Sequence, residues 1–173
     1  MKRSLSTYIA IVVLALFGIG GLVAGTVAVR MVDSNLAAQQ ITFGPDTHYA
    51  GQQVKNGLDA YRFQQVIDKH VKAALKPAGF STYEAVSAAS RASATAANPA
   101  GDPKLAGLRR TALDGNLLRG TLFSSFAWWM VGWVGIGAGV AFLLLAGLAY
   151  RITGHTATLY FPSSVGSPEK VTT

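Results

Sequence analysis

No cysteine occurs among the 173 residues, which excludes disulfides, thiolate catalysis and sulfur ligands for a metal together. Charge is scarce as well. Charged side chains make up 13% of the chain, and 15 Lys and Arg stand against 8 Asp and Glu, a formal balance of +7. Such a surplus would suit nucleic acid if it formed a stripe, but the basic residues are scattered singly or in pairs. Attraction to anionic lipid head groups is the simpler implication, and no nucleic-acid partner is expected. The chain also has no Gly-x-Ser-x-Gly elbow and no Walker loop.

What it does have is apolar length. Half of the residues are hydrophobic, and they concentrate in two blocks at opposite ends. Phe126 to Tyr150, FAWWMVGWVGIGAGVAFLLLAGLAY, carries no charge. As a helix it rises about 37 Å, enough to cross a hydrocarbon core of about 30 Å with some tilt. Tyr8 to Val29 is also uncharged, behind Lys2 and Arg3. It is longer than a signal-peptide core, and Ala28-Val29-Arg30-Met31 is a poor cleavage site, so a retained signal anchor is expected.

These blocks imply an all-α membrane protein with two transmembrane helices joined by a long, mainly helical extracytoplasmic loop. The divisions are a cytoplasmic N-terminus over 1–7, the first span over 8–29, the loop over 30–116, an interfacial lead-in with the second span over 117–150, and a disordered cytoplasmic tail over 151–173. Arg30, Arg109, Arg110 and Arg119 flank the spans on the side opposite Lys2, Arg3 and Arg151. A bare count of charges therefore does not orient the chain. The first helix usually sets orientation and a long loop translocates largely regardless of charge, which places both termini in the cytoplasm of an inner-membrane protein.

Within the loop, Val32 to Gly51 reads as an extended connector, with Asp33, Ser34 and Asn35 as caps and Gly44-Pro45-Asp46 as a turn. Ile41-Thr42-Phe43 has strand character without an evident partner. Leu58, Tyr61, Phe63, Val66, Ile67, Val71 and Leu75 recur at helical spacing with charges between them, and Pro77 and Gly79 end that amphipathic helix. Ser81-Thr82-Tyr83-Glu84 fits a capping box opening a second helix, whose Ala- and Ser-rich body is expected to fray around Asn98 to Gly101. Asp102-Pro103 opens a third through Leu105, Leu108 and Leu113. Asp114-Gly115-Asn116 offers a stop or kink, and Arg119 is placed to reach the lipid interface. In the tail, Thr156 to Phe161 alternates like a strand but has no hairpin partner.

Candidate chemistry is thin. His48, His70 and Asp68 are the residue types of a non-haem iron site, but Asp68 and His70 are two apart on a helix and diverge, so no metal, cofactor or catalytic residue is assigned. Gly132 to Gly139 has the look of a dinucleotide fingerprint, yet it lies inside an apolar span with no preceding strand. Its physical meaning is a smooth face. Gly132, Gly135 and Gly139 share one side of the second span, as Gly21 and Gly25 do on the first, which predicts close helix packing within or between chains. Trp128 and Trp129 are expected to anchor the outer interface, with Tyr8 and Tyr150 near the inner one.

Several short segments resemble a family of small two-span actinobacterial membrane proteins that commonly carry the automatic label "aromatic ring-opening dioxygenase". They are Ile41-Thr42 with His48-Tyr49-Ala50-Gly51 and Val54; Asp59-Ala60-Tyr61 with Val66-Ile67 and His70; Thr82-Tyr83; and Arg110-Thr111 through Leu118-Arg119 and Leu122-Phe123-Ser124-Ser125. The resemblance covers the loop and the approach to the second span, with Ala85 to Ala100 as an insertion. It implies a membrane protein of unassigned function with an exported helical loop. The label's claim on His48 and His70 is not supported by their spacing. A non-enzymatic role in assembly follows, with the bilayer and other membrane subunits or a second copy as partners. The alternative is a sensor or binding module whose amphipathic helix, Leu58 to Leu75, takes a lipid or small molecule.

Overall fold

The computed structural model describes residues 5–95 and 97–155. The tail expected to be disordered from Arg151 is helical over 151–155, which continue α4, while the rest of it from Thr156, with its strand-like Thr156 to Phe161 piece, and the first four residues lie outside the described residues. Four α-helices account for most of the described chain: α1 Leu5–Ala38, α2 Gly57–Leu75 followed by a 3-10 turn at Lys76–Ala78, α3 Tyr83–Ala92, and α4 Pro103–His155. α1 and α4 are each long and apolar enough to cross a membrane.

α1 does not stop at Val29. Met31, Val32 and Leu36 continue its apolar spacing, and Leu36 is 3% exposed, so burial carries the helix through the expected connector. Ser34, read as a cap, lies inside the helix and its hydroxyl donates back to the Met31 carbonyl at 3.1 Å. The true end is at Ala38, where Gln40 takes a left-handed φ of 52° and the Gln53 side chain donates to the Ala37 carbonyl at 2.8 Å. That glutamine belongs to the partner missing from the sequence reading of Ile41-Thr42-Phe43. Thr42 faces Gln53 in an isolated antiparallel bridge, Phe43 N–H donates to Gln52 O, and Val54 N–H donates to Ile41 O.

Asn56 caps α2 by accepting the Asp59 N–H at 2.9 Å, and Gly79 in the left-handed region closes the turn after it. At α3 the cap is Thr82 rather than Ser81: its hydroxyl accepts the Ala85 N–H, and Glu84 pairs with Arg91 at 3.2 Å instead of reaching back. The helix ends at Ala92, and the loop after it is held by hydrogen bonds among the described residues. The Ser93 hydroxyl accepts the Asp102 N–H at 2.8 Å, and the Asn98 amide donates to Gly101 O at 2.9 Å. Asp102 then accepts the Lys104 N–H, with Pro103 in the first helical turn.

α4 runs through Asp114-Gly115-Asn116 without the expected break. Gly115 is buried where a side chain would collide with Val71 of α2, so the glycine serves close packing rather than termination. The division between loop and lead-in at 116 is thus internal to one helix.

The chain divides into two compact units, one comprising Met1–Val23 with Ile136–Thr173 and the other Ala24–Gly135. In the first, the amino-terminal part of α1 meets the carboxy-terminal part of α4. Phe17 and Phe142 have ring centroids 6.2 Å apart, and Gly18, Gly139 and Ala146 are buried. The second holds two small cores. Leu36, Phe43, Val54, Ala60 and Leu122 form one, with Phe63 and Val66 against it. Leu75, Val86 and Ala112 form the other, with Val71 and Tyr83 around them.

Candidate functional site

Each unit contains an approach of glycine backbone to glycine backbone. In the first, a Cβ on Gly139 would stand 2.7 Å from both Gly18 O and Leu22 N. In the second, a Cβ on Gly132 would stand 2.7 Å from a Val29 methyl and 2.9 Å from Gly25 O. Only glycine fits such positions without displacing backbone. Gly25, Gly132 and Gly139 are buried, whereas Gly21 and Gly135 are half-buried. Gly18 was missed in the sequence. Its signal is the seven-residue step to Gly25, mirrored by Gly132, Gly139 and Ala146, and a search at four-residue spacing passes over it.

The four aromatic residues expected as anchors are not equivalent. Tyr8, Trp128 and Tyr150 are exposed at 40%, 61% and 61%. Trp129 is half-buried, packed on Gly57 at the start of α2 and edge-on to Trp133, so it belongs to the packing of the second unit. Its buried indole N–H lies beside the buried Oδ1 of Asp33 without closing a well-aligned hydrogen bond.

An ion-pair joint ties α2 to α4. Arg119 donates to Asp68 at 2.8 Å, and Lys72 reaches the same carboxylate at 2.7 Å. Arg119 is therefore turned to α2 rather than extended to a lipid interface. Nearby, the Tyr61 and Phe126 rings are 4.8 Å apart. His70 is occupied elsewhere, with Nε2 2.7 Å from Asp46 Oδ2, and this hydrogen bond holds the Asp46 carboxyl below its usual range. His48 stands edge-on to Tyr49. His48, His70 and Asp68 are not brought together, and no cluster of three or more possible metal ligands occurs among the described residues.

Most of the amphipathic face of α2 is covered by the chain itself, though Leu58 at its start is 40% exposed. Ala60, Phe63, Val66 and Ile67 pack into the first core and Val71 and Leu75 into the second. Ile41, Tyr49, Val54, Ala60, Val66, Ile67 and Leu122 gather in the first core. Open apolar surface lies elsewhere in this unit, in a groove of about 590 Å³ between residues 24–39 of α1 and 124–128 of α4. In the first unit a smaller notch of about 370 Å³ is lined by Val13, Leu16, Phe17, Gly20 and Gly21. Compared with protein-family models, curated proteins and solved structures, the chain matches none.

Proposed function

We propose that the chain is a two-span integral protein of the bacterial inner membrane with a non-enzymatic role in assembly, as an accessory subunit of a membrane complex or as a homo-oligomer. The observation that carries this reading is the apolar perimeter left after the glycine contacts are made. Leu16, Phe17, Val134 and Leu144 are each 64% to 69% exposed, a surface suited to lipid and to neighbouring helices. Gly20 and Gly137, where an added Cβ meets nothing, leave room for another helix to approach closely. The resemblance to the small two-span actinobacterial proteins supports the same reading.

Asp68 with Arg119 and Asp46 with His70 link separate segments of the second unit, contacts suited to a scaffold. The sensor reading has less support, because most of the apolar face of α2 packs against the rest of the second unit. Both termini are proposed to be cytoplasmic, supported by Lys2 and Arg3 ahead of the first span. Purification in mild detergent with mass analysis tests the role: a defined oligomer or a stoichiometric membrane partner is expected, and a monomer without a partner overturns it.

A further inference from the structure

The groove on the second unit is graded along its length. Its lining on α1 takes one helical face, beginning with Ala24, Val27, Ala28 and Met31 and ending with Asn35 and Gln39. Ser124, Ser125 and Trp128 supply the α4 side. The apolar end thus belongs to the uncharged run that closes at Val29, and the polar end lies beyond it. Asn35, Gln39 and Ser124 make no side-chain hydrogen bond to another described residue, so their donors are free at that end. Val27, Met31 and Trp128 are about 60% exposed along it.

The groove is open along one side, and its volume of about 590 Å³ is enough for a single extended chain. An apolar slot that ends in neutral hydrogen-bond donors matches an acyl chain joined to ester and phosphate oxygens.

We propose that this groove seats one acyl chain of a membrane phospholipid, with the glycerol ester region against Asn35 and Gln39. The inference rests on the membrane placement proposed above but not on the assembly role. Its test is native mass analysis of the full chain after reconstitution into vesicles of phosphatidylethanolamine and phosphatidylglycerol and extraction in mild detergent. One retained phospholipid per chain is expected. Ala28→Trp, which fills the slot, should cut retention at least tenfold while helix content and oligomeric mass stay unchanged. Asn35→Leu with Gln39→Leu removes the polar end without adding bulk and should also cut retention, which keeps the test decisive if the tryptophan disturbs folding. Wild-type protein that retains no lipid, or retention indifferent to both variants, overturns the proposal. So does an oligomeric mass that falls when the slot is filled, since that would make a second copy the occupant. Membrane fractionation of the same cells separates the two levels: a chain absent from the membrane fraction defeats the placement, and a chain present but lipid-free defeats only the groove.

Discussion

At the scale of single residues, the second unit depends on a few positions where one atom or one charge decides. Gly57 opens α2 beneath the Trp129 ring, and a methyl there would overlap it. Gly57→Ala should therefore destabilise the unit by about 1–3 kcal/mol, the usual cost of overpacking, with a change in tryptophan fluorescence. Asp68 and Arg119 are 25% and 34% exposed. Breaking their bond by Arg119→Gln should cost about 1–2 kcal/mol in thermal or denaturant unfolding in detergent, less than a fully buried pair because water still reaches both groups. Lys72 is 62% exposed and bonds the same carboxylate from within α2. Lys72→Ala should cost only about 0.5 kcal/mol, and an equal loss for both changes would mean that Arg119 does not join the two helices. Asp46 supplies a pH dependence. Its carboxyl is depressed by the His70 hydrogen bond, with Lys69 adding to the effect, so its stabilising contribution is complete above the unfolded carboxylate value of about 4. It is lost as pH falls through the lower folded value. Amide protection in residues 43–53, taken relative to the intrinsic exchange rate at each pH, should fall over that acid range in the wild type, and Asp46→Asn should flatten the fall.

At the scale of elements, the glycine contacts give the sharpest comparison. Gly139 lies against Gly18 and Leu22, Gly132 lies against Gly25 and Val29, and Gly137 faces open space. Gly132→Leu and Gly139→Leu should each lower the melting temperature in detergent by several degrees, whereas Gly137→Leu should leave the packing within the chain intact and instead lower the oligomeric mass of the proposed assembly. Equal effects at all three positions would show that these glycines are not packing sites. The two long helices were legible because uncharged length is a property of composition, and α2 was legible because its apolar spacing and its Pro77 and Gly79 stop agree. The ends of α1 and α3 and the continuity of α4 were not. Asp33-Ser34-Asn35 has cap chemistry, but burial of Leu36 extends α1 beyond it. Gly115 has stop chemistry, but Val71 comes from another helix and cannot be placed from local sequence. The partner of Ile41-Thr42-Phe43 was hidden because 44–51 is a long turn, closed by Gly51 at a φ of 75°. The Arg119 joint was missed for the same reason as Val71: its carboxylate lies on a helix far away in sequence.

At the scale of the whole molecule, orientation is the property on which the proposed role and its partners depend. Charge alone balances across the flanks of the spans, with Lys2, Arg3 and Arg151 on one side and Arg30, Arg109, Arg110 and Arg119 on the other. Arg119 and Arg110 each have a carboxylate within 4 Å, Asp68 and Asp114 respectively. Their positive charge is thereby partly offset once the chain has folded, but the first helix is oriented before that fold exists, so Lys2 and Arg3 carry more weight. The lack of cysteine makes the matter directly measurable, because any thiol introduced is the only one in the chain. Lys104→Cys places it on the exposed first turn of α4, and Glu169→Cys places it in the tail without removing a positive charge from the flank. A membrane-impermeant maleimide applied to intact cells should label the first and spare the second, and permeabilised cells should show both labelled. The reverse pattern in intact cells would put the termini outside and the loop of the second unit at the cytoplasmic face.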